Sequence, residues 1–510
     1  MDFRSALLSH VMVISIMGLS MACALQETSP IKPAAEVVRK PRATEAKQLD
    51  FYAPELALEG DGDVYLIWAS VESTGSQKLF DLFFSRSRTD ERTWLSPAVS
   101  LRPDSSRTVG ARQILGDEKG NVYVLWASGL RTASRRVVFT RSEDRGTSWK
   151  GPSAVNASVD LHAPQLIRDP RGVLYTVIPD GPEQNWNLVF ARSSDGGKSW
   201  DSLPTLTNAL GSRTIFGIRE FEVVADDQGR VHVVWEEKEQ RAKEMIFYNR
   251  FTPATGTGGS WLTEAVPLSA GGDASYGATR PQISIDREGH LFVVWVEAWE
   301  PRQVDFREGR LPQAVYFNRS MDSGKSWLPQ PIQLSQSGPN SIKLIAAGVD
   351  VANNGKGQVY VVWKGLEGYP PVERIMFARS PDYGSTWVSE PQRLYESERA
   401  KKSFVAEPLY LRSGGADHVY LLWQEVGDPP WNLFFSRSSD RGQSWSPKPV
   451  RLAKLPQANF GAHGLSFETN GRHLYVAWEG GPKGPNEIFV NRSTDFGMTW
   501  LSEEIQVSKR

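Results

Sequence analysis

One short phrase returns eight times along this chain: serine, a spacer, aspartate, a spacer, glycine, a spacer, serine or threonine, then tryptophan, usually with arginine in front. Six copies are intact, at 142–149, 193–200, 320–327, 380–387, 438–445 and 493–500. Two are degraded: 87–94 carries Thr89 for the aspartate and Glu91 for the glycine, and the stretch before Trp261 keeps only fragments. The closing tryptophans are 94, 149, 200, 261, 327, 387, 445 and 500. A fixed period of this length means a repeat architecture, in which each unit needs its neighbours to bury its apolar face.

Each phrase lies between strand-like runs, such as Leu433-Phe434-Phe435-Ser436-Arg437 before it and Trp445-Ser446-Pro447 after it. It therefore reads as a hairpin turn. The aspartate is expected to accept hydrogen bonds from backbone N–H groups two or three residues on. Glycine supplies a positive φ, the hydroxyl closes back on the aspartate, and tryptophan covers the hairpin. A second motif, clearest as Gly-x-Val-Tyr-Val-Val-Trp at 357–363, precedes each phrase, with versions ending at Trp68, Trp126, Trp235, Trp295, Trp423 and Trp478. In the third unit it decays and ends at Ile178. Such continuous apolar runs suit strands buried on both faces. A further short strand comes earlier, often opened by proline, as at Pro54-Glu55-Leu56, Pro164-Gln165-Leu166 and Pro281-Gln282-Ile283. Each unit thus has four antiparallel strands, A to D, with the phrase joining C to D. Eight such units predict an all-β, eight-bladed β-propeller over 51–508, the eighth blade packing directly on the first. Seven blades is the alternative.

The phrase resembles the Asp box, or BNR repeat, of the sialidase superfamily. The resemblance covers nearly the whole chain after residue 50. It implies a propeller and no particular activity, because Asp boxes recur in enzymes and non-enzymes and lie away from the sialidase active site. Asp144, Asp195, Asp322, Asp382, Asp440 and Asp495 are accordingly read as turn residues. The family's sialidases have six blades, so this chain departs from them.

Formal charge is −1, from 58 basic and 59 acidic residues. With no basic stripe, nucleic acid is excluded as a partner. No zinc-type Cys/His cluster and no Gly-rich phosphate loop occur, so neither a metal nor a cofactor is expected. Arg4 followed by an apolar stretch at 6–21 reads as an export signal too short to span a bilayer comfortably. Cys23 is the only cysteine, and Ser20-Met21-Ala22-Cys23 resembles a bacterial lipobox, with Ser20 departing from the usual aliphatic residue. The expectation is a signal at 1–23, lipid attachment at Cys23, a flexible tether at 24–50, and a monomeric propeller held at a membrane of the cell envelope. Ordinary cleavage after Ala24, giving a soluble secreted or periplasmic form, is the alternative.

In propellers of the resembled family, ligands bind opposite the Asp boxes, on the B–C loops and the crossings from D to A. Of 18 tryptophans, eight close boxes and seven end B strands. Trp186, Trp299 and Trp431 remain, and all three read as B–C loop residues able to stack on a sugar or anchor a protein. The residues opening strand A align as Ala53, Ala111, Ala163, Glu220, Arg280, Gly348 and Glu407, with Ala462 or His463 in the eighth unit. Glu220, Arg280 and Glu407, with Arg112 and Arg219 adjacent, can clasp a polar ligand by charge-assisted hydrogen bonds. Glu236, Glu237, Glu297, Glu425 and Glu479 begin the B–C loops and read as a solvated rim. The long loop at 296–313 also carries Arg302, Asp305, Arg307 and Arg310. The resemblance implies, for a sialidase, three arginines around a carboxylate and a tyrosine–glutamate pair. Arg112, Arg219 and Arg280 are the candidates, with Glu220 or Glu407 beside Tyr276 or Tyr395, although 52–55 lacks the family's first arginine. The expected function is binding of a glycan or protein ligand. A sialidase-type exo-glycosidase and an envelope scaffold are the alternatives.

Overall fold

The apolar runs read as B strands are strands in the computed structural model, and they form its core. In Leu474–Gly480 every residue is buried. The decayed third run is also a strand, Leu174–Asp180. The structure describes residues 48–508 except 60–62, 75–76, 89–92, 103–108, 130–135, 157–163, 181–186, 207–217, 239–243, 255–257, 270–274, 300–312, 336–346, 368–371, 389, 397–402, 428–431, 454–463 and 482–485. The expected signal, Cys23 and most of the expected tether lie outside the described residues.

The described strands run up and down in units of four. Their A strands are Gln48–Glu59, Val109–Gly116, Gln165–Arg168, Ile218–Ala225, Ser275–Ile285, Ala347–Asn353, Ser403–Gly414 and Leu465–Thr469. Each A strand touches the next in this order, and the last touches the first. Eight blades therefore close as a ring, an all-β propeller. The fourth and fifth blades share one sheet through a single parallel bridge, Glu244 to Gly277. Glycine permits that approach, since a Cβ on Gly277 would lie 2.5 Å from the Glu244 carboxylate. The first strand starts at Gln48, ahead of the expected 51. Residues 48–50 belong to the closure: the Asn486 N–H donates to Asp50 Oδ1 at 3.0 Å, and the Phe51 N–H donates to the Asn486 carbonyl at 3.1 Å.

Each box locks its blade to the preceding one. In the seventh blade, Asp440 Oδ1 accepts from the Ser438 hydroxyl at 2.7 Å and the Ser444 N–H at 2.9 Å, and Oδ2 accepts from the Ser444 hydroxyl at 2.5 Å. The same pattern recurs at Asp144, Asp195, Asp322, Asp382 and Asp495. The shared N–H donor lies four residues on, not two or three, because the loop makes two successive left-handed residues, such as Arg441 at φ 62° and Gly442 at φ 76°. Glycine is required there for a second reason. A Cβ on Gly146 would lie 2.2 Å from Phe84, and one on Gly384 2.5 Å from Phe317, both on the preceding blade. The tryptophan also reaches backward: Trp149, whose indole donates to the Gly146 carbonyl of its own hairpin at 3.2 Å, meets Phe84 edge-on at 4.9 Å, Trp387 meets Phe317 at 4.9 Å and Trp445 meets Phe377 at 5.0 Å. An arginine before one box grips the next, with Arg86 donating to the Arg145 carbonyl and Arg319 to the Tyr383 carbonyl, both at 2.7 Å. A second carboxylate belt, unread in the sequence, closes A–B turns on the same face. Asp117, Asp169, Asp226 and Asp286 each accept from the N–H groups two and four residues on.

Candidate functional site

Strand register places the box and the ligand-binding candidates at opposite ends of each blade. C strands end beside B-strand starts, as Ser142 pairs with Val122, so boxes share a face with the A–B turns. A strands open beside B-strand ends, as Ala347 pairs with Lys364. At that opening the register slips in six blades, between Tyr52 and Glu55, Val109 and Arg112, Ile218 and Phe221, Thr279 and Gln282, Ala347 and Asp350, and Ala406 and Tyr410. The aligned positions Ala53, Ala111, Glu220, Arg280, Gly348 and Glu407 all fall inside these bulges. Bulges re-aim side chains at the rim of a sheet. Three bulge residues are left-handed: Ala53 at φ 50°, Arg280 at φ 59° and Gly348 at φ 55°.

The glutamates expected as a solvated rim are buried instead, and two of them hold these bulges. Glu236, Glu237, Glu297, Glu425 and Glu479 are all buried, at 1–5 % exposure. Glu479 Oε2 accepts from the Ala53 N–H at 2.8 Å and Glu236 Oε2 from the Arg280 N–H at 3.4 Å, each across to the next blade. Glu237 and Glu297 accept from the indoles of Trp235 and Trp295 at 3.0 and 3.2 Å. Glu425 accepts from the Tyr395 hydroxyl at 3.3 Å. Burial forces such carboxylates to find donors, and the left-handed bulge supplies an N–H that the sheet does not use.

Two residues beyond each aligned opening lies a ring that the sequence reading missed: Glu55, Gln113, Gln165, Glu222, Gln282 and Asp350, joined by Tyr410 and Ser466 at the equivalent register. Its members stitch neighbouring A strands together. Ser466 accepts from the Leu56 N–H at 3.0 Å, Asp350 from the Leu411 N–H at 2.8 Å, and Gln165 donates to the Phe221 carbonyl at 3.1 Å. Gln113 accepts from the Leu166 N–H, and the Tyr410 hydroxyl donates to the Leu465 carbonyl. The inner strands thus face one another with ionisable groups. Burial pushes the Glu55 carboxyl up to about 7, against Arg112 and with the charge of Glu468 adding to it. Burial also pushes Glu222 up to about 7, reinforced by Asp350 from a blade that is not its neighbour. Asp350 and Glu468 are raised by burial too, with Arg412 opposing both. The recurrence of a polar residue two places after the opening was the signal available in the sequence.

Arg112 is buried at 8 % exposure, and burial lowers its pKa. Its Nε donates to the Ala53 carbonyl at 2.7 Å, a second guanidinium nitrogen donates to the Gly110 carbonyl at 2.9 Å, and it lies over the Tyr52 ring at 5.5 Å. Glu220 and Arg280 are partly exposed. Arg219 and Glu407 lie within A strands, but their side chains are outside the described residues. Trp299 is the last residue of strand Leu291–Trp299 and not a loop residue; its side chain is outside the described residues. Trp186, Trp431, Ala163, Ala462, His463 and the arginines of the long loop are also outside them. Tyr395 sits on an outer strand against Trp423, at 4.9 Å, with Glu425 as its partner. No group of three or more potential metal ligands occurs among the described residues.

No protein-family model and no curated protein matches this chain. Solved structures do. An ulvan lyase of polysaccharide lyase family PL25 aligns at 13 % identity and TM-score 0.46, over 72 % of this chain and 89 % of its own. A Hadza microbial sialidase, Hz136, aligns at 11 % identity and TM-score 0.38, over 87 % and 93 %. The alpha-L-arabinanase of Penicillium chrysogenum, complexed with arabinobiose, aligns at 12 % identity and TM-score 0.38, over 77 % and 94 %. Likeness at this level concerns the fold and does not carry a substrate across.

Proposed function

We propose that this propeller binds a glycan or peptide ligand at the mouth of its inner ring, on the face opposite the Asp boxes. The observation that carries the reading is the unevenness of the bulge ring. Ala53 and Gly348 leave it open, while Glu220 and Arg280 bring partly exposed charges to it. Beneath them lies a polar wall, not an apolar plug: Glu55, Gln113, Gln165, Glu222, Gln282 and Asp350. Hydroxyl-rich or main-chain ligands are recognised by such mixed donors and acceptors, and charged partners strengthen those hydrogen bonds. Trp186, Trp299 and Trp431 are proposed as aromatic contacts outside this ring, and Arg219 and Glu407 as further polar ones. A glycan and peptide array probed with the full chain tests the reading. Arg280→Ala should weaken any hit roughly tenfold, the loss expected of one charge-assisted contact. Hits that survive Arg280→Ala and Glu220→Ala together at full strength would refute it.

Hydrolysis of a terminal sugar is the second reading, favoured by Glu55. A carboxyl pushed up to about 7 by burial, with the Arg112 charge opposing the shift, has the protonation a general acid needs. Arg112, however, directs two donors to backbone carbonyls, which is the behaviour of a residue fixing the bulge. Turnover of a sialoside that disappears in Glu55→Gln would favour the enzyme. We also propose export and lipid attachment at Cys23. Mass spectrometry of membrane-extracted protein should then find a diacylglyceryl-modified Cys23 at the new N-terminus; a soluble form beginning at Leu25 would overturn it.

A further inference from the structure

Near the boxes, a tyrosine on strand B lies beside a phenylalanine on strand C in four blades: Tyr65 and Phe84, Tyr123 and Phe139, Tyr360 and Phe377, and Tyr420 and Phe435, at 6.0–6.3 Å. The fourth blade moves the hydroxyl to the other strand, with His232 on B and Tyr248 on C at 6.1 Å. The second blade shows what the exchange alters. There the Tyr123 hydroxyl donates to Asp117 Oδ2 at 3.1 Å, and Phe139 sets a bare ring against Gly197 of the next box. In the fourth blade His232 Nε2 meets the equivalent carboxylate, Asp226 Oδ2, at 3.2 Å, and its Nδ1 meets the Tyr248 hydroxyl at 2.8 Å. A phenol that ionises far above neutral pH gives way to an imidazole that ionises near it.

His232 and Tyr248 are fully buried. The Asp226 carboxylate only accepts, so Nε2 carries the imidazole proton and Nδ1 accepts from Tyr248. A second proton, on Nδ1, would face the proton of the hydroxyl, which must then turn away inside a buried site. Burial lowers the His232 pKa, Arg230 and Arg250 add to the lowering, and Asp226 opposes it. Asp226 is already shared, since Arg230 Nε donates to the same oxygen at 2.5 Å. Asp322, from the fifth blade's box, adds its charge on the Tyr248 side. Three grips on that box pass through this cluster. The Tyr248 ring meets Trp327 edge-on at 4.8 Å, and its hydroxyl lies where a Cβ on Gly324 would come within 1.7 Å. Arg230 donates to Ser323 Oγ at 2.8 Å and Arg250 to the Ser323 carbonyl at 2.5 Å. The opposite end of the same seam is joined separately, by the Glu244–Gly277 bridge.

We propose that this seam is a proton-operated latch, closed on the fifth blade's box while His232 is neutral and loosened when it is protonated. A histidine whose folded pKa is depressed stabilises above its unfolded value of about 6.5 and loses that contribution as pH falls below it. The test is hydrogen exchange of the full chain at about pH 7.5 and about pH 5, each amide rate corrected for its intrinsic pH dependence. Protection across 322–328 should fall roughly tenfold or more in acid. Protection across 195–201, in the third blade's box, should hold, because Asp117, Tyr123 and Phe139 stand at that seam. His232→Tyr combined with Tyr248→Phe installs the second blade's pair and should abolish the acid fall. Should that double variant not fold, Tyr248→Phe alone serves. It removes a hydrogen bond that favours the neutral imidazole, so loosening should begin at higher pH. Protection at the fifth box that holds in acid, an equal fall at both boxes, a fall that persists in the double variant, or an unmoved onset in Tyr248→Phe would each overturn the proposal.

Discussion

Replacing Asp440 tests the claim that the boxes are locks between blades. Asp440→Ala removes the acceptor of the Ser438 hydroxyl, the Ser444 N–H and the Ser444 hydroxyl. Ser438 is buried, so water cannot readily replace its lost partner; the Ser444 donors are exposed and can turn to solvent. One buried loss and two solvated ones give about 2 kcal/mol, within the ~1–3 kcal/mol of an orphaned buried group. Spread over a cooperative unit of this size, at ~2.1 cal/mol/K per residue and so ~1 kcal/mol/K, that is a fall in Tm of only about 2 °C. Native-state hydrogen exchange is the sharper assay. If the lock acts locally, amides of the sixth and seventh blades flanking Gly442 and Trp445 should exchange about thirtyfold faster, and those of the second and third blades should not change. Asp440→Asn keeps an Oδ1 acceptor and loses one for the Ser444 hydroxyl, so it should show roughly half the effect in free energy. Uniform acceleration around the ring would refute the local lock. So would an alanine variant that exchanges like wild type, or one that keeps its stability while losing ligand binding.

The same hydrogen bonds set a pH dependence. They hold the Asp144 carboxyl down to about 2, led by the Ser148 hydroxyl, and they hold Asp322 and Asp440 to about 2 despite partial desolvation. A depressed carboxylate stabilises above its unfolded value and loses that contribution as pH falls, so Tm should drop between about pH 4 and 2, and less steeply in Asp440→Asn. Glu222 has the opposite sign. Its folded value near 7 lies above the unfolded one, so its contribution is complete below about pH 4 and is lost as pH rises through 7. Glu222→Gln should therefore gain in Tm relative to wild type between pH 6 and 8 on a thermal-shift profile; a constant offset at every pH would count against that assignment. Gly384→Ala puts a side chain at φ 79° and a Cβ 2.5 Å from Phe317. Denaturant unfolding should show it destabilised by more than the ~1–2 kcal/mol of the left-handed conformation alone.

The repeat and its strands were legible because a box must satisfy local chemistry. Asp, Gly, hydroxyl and Trp at fixed spacing have no other joint use, so the blades follow from them. The reach of the box into the preceding blade was not legible, since its partner, such as Phe377 for Trp445, lies about a blade away in sequence and resembles any apolar strand residue. At the opposite end the reading failed for a definable reason. An acid directly after an apolar run looks like a strand leaving the core, and so Glu236 and Glu479 were read as solvated. The next blade's bulge turns an N–H toward each of them, and a bulge has no sequence signature of its own at Ala53 or Arg280. The same bulges shift attention from the openings to the residues two places on, which is why Glu55, Glu222 and Asp350 went unread although they recur at one offset.

The two faces divide the work of the fold between them. The box face repeats because blades meet their neighbours through the same tryptophan and ring, with a glycine at the intact boxes. The seam between the eighth and first blades lacks two of them: Val490 replaces the ring and Glu91 the glycine, while Trp94 remains and packs on the cluster that holds Val490. Its closure is made at the other face, by Glu479 on Ala53, Ser466 on Leu56, the Phe51 N–H on the Asn486 carbonyl and the Asn486 N–H on Asp50. Phe51, Trp68, Tyr475, Ile488 and Val490 pack into one apolar cluster across it. A seam held in this way does not need its box. The first box therefore carries Thr89 and Glu91 for aspartate and glycine without opening the ring, while Arg86 keeps the grip on the next box that Arg319 also makes.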